Sequence, residues 1–170
     1  MDAVKDVEPI LNTLLLEGIA LPDRFIAWGA SYGGFMVIAS MAWYPERFRC
    51  GLDVVGVADF INFLTNTRSY RKELREAEYG PLEDEGFLRS ISPTSMASRI
   101  KGNLFIAHGA NDPRVPVSDA YLLANRMRSF GNTPEMLIFD DEGHGFRKKA
   151  NLLSFHEKAV LFIERCSSFL

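Results

Sequence analysis

The stretch Phe25-Ile26-Ala27-Trp28-Gly29-Ala30-Ser31-Tyr32-Gly33-Gly34 decides how the chain is read. Residues 25–28 form a short, wholly apolar run, as expected of a parallel strand covered on both faces. Gly29 follows at once, and a helical pattern begins near Tyr32 and continues to Tyr44. A serine at a strand-to-helix junction, flanked two residues away on each side by glycine, sits in a tight turn. Such a turn strains the serine backbone and exposes its hydroxyl. A G-x-S-x-G string also arises by chance as a glycine-rich loop opening a helix, so its meaning depends on what surrounds it.

Outward from this junction, further apolar runs at 51–57, 104–108 and 136–139 read as strands, each followed by turn chemistry. Helical spacing joins them. Asp6 is placed to cap a helix carrying Val7, Ile10, Leu11, Leu14 and Leu15, with Pro9 in its first turn and Gly18 ending it; Leu21, Pro22, Asp23 and Arg24 follow as a turn. Ser118 is placed to cap a helix carrying Leu122, Leu123, Met127 and Phe130, closed by Gly131. A last helix from about Asn151 aligns Leu152, Phe155, Ala159, Phe162, Ile163 and Cys166. Alternating strands and helices imply an α/β layered domain around a mainly parallel sheet with right-handed crossovers. The excursion at 58–102, with a charged helical stretch at 69–78, is where a substrate pocket or lid belongs.

The chain has 170 residues, of which 47% are hydrophobic, enough for one domain, 1–170, with a sizeable core. A net charge of −3 with interspersed signs excludes the basic field that recruits nucleic acid or anionic membranes. No apolar run is long enough to span a bilayer, and an acidic, interrupted beginning argues against export, so a cytoplasmic location is expected. In a reducing compartment Cys50 and Cys166 are expected to be free, small core side chains.

A serine hydroxyl becomes a useful nucleophile only when a base takes its proton. Of the three histidines, His144 is the best placed, in a loop just past the last strand. His108 reads as a support for the following loop and His156 as a helix-packing or surface group. The imidazole in turn needs a carboxylate on another strand-end loop. Asp112 fits, with Asp59 as runner-up and Asp140 and Asp141 behind it. Ser31, Asp112 and His144 then follow three separate strands in the order nucleophile, acid, base, which is the chain order of α/β-hydrolases. The backbone N–H of Tyr32, opening a helix, is a natural donor to an oxyanion.

These residues carry a resemblance. Trp28 to Gly34, Tyr44-Pro45-Glu46-Arg47-Phe48, Val55-Gly56-Val57-Ala58-Asp59, Glu78-Tyr79-Gly80, Ile91-Ser92-Pro93, His108-Gly109-Ala110-Asn111-Asp112-Pro113-Arg114-Val115-Pro116 and Gly143-His144-Gly145-Phe146 resemble the carboxyl-terminal catalytic portion of the prolyl oligopeptidase family, especially acylaminoacyl peptidases and dipeptidyl aminopeptidases. The resemblance implies a truncated α/β-hydrolase fold with a sheet of about four strands, without the preceding strands or a β-propeller. It matches Ser31, Asp112 and His144 to the family triad, and it places Val57, Tyr79 and Val115 where relatives line the pocket for the residue before the scissile bond. In relatives a second oxyanion donor, a tyrosine hydroxyl, comes from the region this chain lacks.

The function implied is hydrolysis of ester, peptide or acyl-peptide bonds through an acyl-enzyme, most easily on short acyl esters, with no metal or organic cofactor. An inactive remnant serving as scaffold or assembly partner is the alternative, and a piece of a longer peptidase a third. Expected partners are a small ester or short peptide and, because the strand near Ile26 would form an open edge, a second copy of the chain.

Overall fold

The computed structural model describes residues 2–22 and 24–167; Asp23, within the expected turn at 21–24, lies outside the described residues. Two amino-terminal helices, α1 (Asp2–Lys5) and α2 (Val7–Leu16), precede strand β1 (Phe25–Ala30), helix α3 (Tyr32–Trp43) and strand β2 (Phe48–Val54). The excursion then contributes α4 (Phe60–Asn66), α5 (Ser69–Tyr79), α6 (Glu85–Ile91) and a 3₁₀ segment (Pro93–Arg99). Strand β3 (Asn103–Gly109), α7 (Val117–Ser129), β4 (Glu135–Phe139) and α8 (Lys149–Ser167) complete the chain. The four strands form one sheet in the order β1-β2-β3-β4, and every neighbouring pair is parallel. The α/β architecture expected from the strand and helix spacing is therefore what the chain adopts.

Each crossover helix earns its place by burying one apolar face. Val37, Ile38 and Met41 of α3 and Leu123 and Met127 of α7 pack on Leu104 and Ile106 from one side of the sheet. On the other side, Phe155, Ala159 and Phe162 of α8 cover Leu52, Phe105 and Leu137. A third apolar group, including Phe35, Val57, Phe60, Phe63, Leu88 and Val115, anchors the excursion above the carboxyl ends of the strands. Burying an aliphatic or aromatic side chain of this kind stabilises by about 1.5–3 kcal/mol, so these three groups fix where the strand-end loops emerge. Trp28 on β1 remains 52% exposed, with an edge-on ring contact to Phe155 of α8.

Three expectations need correction. Cys50 and Cys166 are not free thiols but a disulfide, linking β2 to the last turn of α8 with their Cα atoms 6.3 Å apart. Both residues point into the core under α8, so packing alone brings them within bridging distance. Disulfides belong mostly to oxidising compartments, so the bridge and a cytoplasmic location pull in opposite directions. Among the described residues no helix is long and apolar enough to cross a membrane.

The second strand ends at Val54, not Val57, because Val55 adopts a positive φ of 49° and turns the chain over the top of the sheet. A β-branched residue in that conformation costs on the order of 1–3 kcal/mol. Ser118 does not cap α7. Pro116 holds that position, and the Ser118 hydroxyl accepts instead from the Asn62 amide at 2.8 Å. Asp6 does occupy the cap position of α2, but its side chain makes no capping bond.

Candidate active site

Ser31 links β1 directly to α3 with φ 59° and ψ −118°, a strained conformation for a residue with a side chain. Its N–H donates to Val54 O at 2.9 Å and its carbonyl accepts from Phe35 N at 3.1 Å, so the turn is tied to β2 on one side and α3 on the other. Glycine is required at Gly29, where a Cβ would collide with the Gly33 carbonyl. Gly33 itself faces open space. The second obligatory glycine is Gly34, where a Cβ would strike the Asp53 carboxylate and come within 2.7 Å of Gly56 Cα.

The loops after β3 and β4 are stitched to each other. Ala110 N–H donates to Phe139 O, and Asn111 N–H to Glu142 O, both at 2.9 Å. Gly109 leaves no room for a side chain against the Glu142 and Gly143 carbonyls. Glu142 then fastens the His144 loop to the start of α8 by accepting from Lys148 N at 2.8 Å and Arg147 N at 3.1 Å.

This stitching aligns three side chains. Ser31 Oγ lies 2.9 Å from His144 Nε2, and His144 Nδ1 lies 2.7 Å from Asp112 Oδ2. An ionised carboxylate only accepts, so His144 Nδ1 carries the proton and Nε2 is left to accept from the serine hydroxyl. The other Asp112 oxygen accepts from Arg114 N at 2.8 Å and Val115 N at 3.1 Å. Burial opposes ionisation of Asp112, but hydrogen bonds from His108, His144 and the Arg114 amide outweigh it and hold the carboxyl well below the usual carboxylate range. Its side chain is fully buried, whereas His144 keeps 12% exposure toward the site.

The other candidates fall elsewhere. Asp59 caps α4, accepting from Ile61 N and Asn62 N at 3.1 and 3.0 Å and from the Thr94 hydroxyl at 2.7 Å. Asp141 pairs with Lys148 at the surface, and Asp140 offers its backbone carbonyl to Asn111. His156 bonds back to Leu152 O within α8. His108 does support the acid loop: its Nε2 donates to Val115 O at 3.0 Å and lies 3.5 Å from Asp112 Oδ2. Burial disfavours its charge, but these acceptors and Asp53 outweigh that and raise its pKa. Asp53, enclosed behind the serine turn, is pushed up to about 7 by burial.

Val57, Tyr79 and Val115 line one cavity of about 150 Å³ together with Ser31 and Tyr32. The Tyr79 phenol is pushed up to about 12, by burial first and then by Glu78 beside it. Tyr32 is the first residue of α3, so its N–H belongs to the helix-end amides that lack an intrahelical acceptor. Arg71, Arg75 and Arg114 also line this cavity, and the sequence reading missed all three. A signal existed: Arg71, Arg75 and Tyr79 recur every four residues, which places them on one face of α5.

The model of the prolyl oligopeptidase family matches residues 2–169. The chain belongs to the prolyl oligopeptidase family. Within it, dipeptidyl aminopeptidase BIII of Pseudoxanthomonas mexicana is 30% identical over 88% of this chain, and dipeptidyl peptidase family member 6 of Caenorhabditis elegans is 31% identical over 95%. A puromycin-hydrolyzing peptidase of Mycobacterium tuberculosis superposes with a TM-score of 0.90 at 26% identity, over 98% of this chain. This prolyl oligopeptidase family chain spans about a quarter of each relative's length: 23% of the two dipeptidyl peptidases and 25% of the mycobacterial enzyme. Its four-stranded parallel sheet with flanking helices is thus a partial α/β-hydrolase domain.

Proposed function

We propose that this chain is a serine hydrolase of ester and of peptide or acyl-peptide bonds. The observation that carries the reading is the continuous relay from Ser31 through His144 to Asp112, at 2.9 and 2.7 Å. Ser31 Oγ attacks the substrate carbonyl carbon while its proton passes to His144 Nε2. The negative charge gathers on the carbonyl oxygen beside the Tyr32 N–H, and Asp112 holds the imidazolium that has formed. Collapse expels the alcohol or amine, which takes the proton from His144. Water then repeats the sequence on the acyl-serine, releasing the acid.

Short activated esters are the substrates of choice because their good leaving groups ask less of transition-state stabilisation than amides do. The test is turnover of p-nitrophenyl acetate and butyrate by wild type and by Ser31→Ala, with labelling by a serine-directed phosphonate in parallel. Turnover and labelling by wild type alone support the hydrolase. A folded wild type that neither turns over nor labels refutes it and favours the inactive scaffold, a reading that draws on β1, which among the described residues has a neighbouring strand on one side only. That open edge near Ile26 also supports self-association, and a clean monomer in light scattering at micromolar concentration would count against it.

A further inference from the structure

The wall of the Ser31 cavity has a composition that the chain as a whole does not predict. The protein is acidic, at −3, yet Arg71, Arg75 and Arg114 meet here against one carboxylate, Glu78. Glu78 is engaged, ion-paired with Arg75 and adjacent to the Tyr79 hydroxyl. Arg71 makes no ion pair among the described residues. The Nε atoms of Arg71 and Arg75 are both buried without an acceptor.

A guanidinium does not deprotonate in a protein, so Arg71 remains a permanent cation in the cavity wall, uncompensated by an ion pair among the described residues. Beside these cations, Val57, Phe63, Tyr79 and Val115 supply an apolar surface. At about 150 Å³ the cavity suits one side chain, since a drug-sized ligand takes about 300–1,000 Å³. A lining that combines apolar side chains with arginines matches an aliphatic stem tipped by a carboxylate, whose two oxygens accept the parallel N–H groups of an arginine.

We propose that this cavity selects substrates whose acyl residue, the one transferred to Ser31, carries a glutamate-like side chain, with Arg71 as its principal anion-binding residue. This rests on the hydrolase reading for the bond cleaved, but the recognition itself does not require turnover.

The experiment compares the α-methyl esters of N-acetylglutamate and N-acetylglutamine, which differ only in side-chain charge, with the carboxymethyl ester of N-acetylglutamine, which moves the carboxylate to the leaving group. Hydrolysis is followed chromatographically for wild type, Arg71→Gln and Arg71→Lys. The expected result is a glutamate preference in kcat/KM of about tenfold or more at low salt, since hydrogen bonds to charged groups are among the stronger ones. That preference shrinks toward unity in Arg71→Gln, is partly restored in Arg71→Lys, and falls as sodium chloride is added to wild type. The last arm needs no variant to fold. A wild-type ratio of one or less, a ratio unaffected by Arg71→Gln, or a preference for the carboxymethyl ester instead overturns the proposal. If no ester is turned over, p-nitrophenyl acetate included, the hydrolase reading fails separately. The cavity is then tested by NMR titration with N-acetylglutamate and N-acetylglutamine. Tighter binding of N-acetylglutamate that Arg71→Gln abolishes sustains the proposal, and equal binding overturns it.

Discussion

Reducing the Cys50–Cys166 bridge should remove much of the protein's stability. The two cysteines are 116 residues apart in sequence. A cross-link of that span restricts the unfolded chain far more than the folded one, whose Cα atoms already lie 6.3 Å apart through packing. In the chain-entropy model a closed loop of this size contributes about 5 kcal/mol at 25 °C, set against a typical total of about 5–15 kcal/mol. With a urea dependence of about 2 kcal/mol/M, full reduction should lower the unfolding midpoint by about 2–3 M. The assay is urea unfolding followed by circular dichroism, with and without a phosphine reductant, thiols being counted at each end. A midpoint that moves by less than about 0.5 M after complete reduction would refute the entropic argument. Two free thiols in protein unfolded without reductant would refute the bridge itself.

Three further outcomes follow from the geometry around Ser31. Asp53→Asn should stabilise the protein at pH 8 and change little at pH 4. Burial raises Asp53 from 3.8 to about 7, so the stability tied to its protonated form is complete below pH 4 and is lost as pH rises through 7, by about 4 kcal/mol at the limit; thermal unfolding at the two pH values checks it. Gly29→Ala drives a Cβ into the Gly33 carbonyl and should abolish phosphonate labelling of Ser31, read by mass spectrometry on protein that circular dichroism shows to be folded. Asp112→Asn, which leaves His144 Nδ1 without an ionised acceptor, should lower ester turnover by up to about 10⁴-fold, with the pre-steady-state acyl burst lost along with it.

Much of the framework was legible because local and tertiary preferences agree there. The four apolar runs became β1 to β4, and nucleophile, acid and base candidates at three strand ends came together because parallel strands deliver their carboxyl ends to one side. What escaped depends on contacts distant in sequence. Val55-Gly56-Val57 has the residues of a strand, yet Val55 turns out of the sheet to bring Val57 over the cavity, a tertiary demand that overrides β-propensity. Gly34, rather than Gly33, is obligatory because Asp53 and Gly56 crowd it from β2 and its following turn. The cysteine pairing needed β2 and α8 in register across most of the chain, which no local pattern announces. Arg71 and Arg75 lay inside the charged stretch of an excursion expected to hold a pocket or lid, but only the fold of that excursion shows which side of α5 turns toward Ser31.

The open flank of β1 has a consequence for how the protein breathes. Within the described residues Ser31 hangs from a strand hydrogen-bonded on one side only, whereas Asp112 and His144 belong to the β3–β4 end of the sheet. Opening β1 and the turn after it costs the β1–β2 ladder, part of the α3 contact and the packing of Ile26 and Trp28 beneath α8, but it leaves the contacts of α8 with β2, β3 and β4 in place. The relay can therefore be uncoupled by a sub-global opening much smaller than unfolding. Amide exchange along 25–31 should run ahead of exchange in β2 and β3. A sample can then be folded by every global measure while a fraction of its molecules holds the serine away from the imidazole, so the active fraction and the folded fraction are separate quantities in this chain.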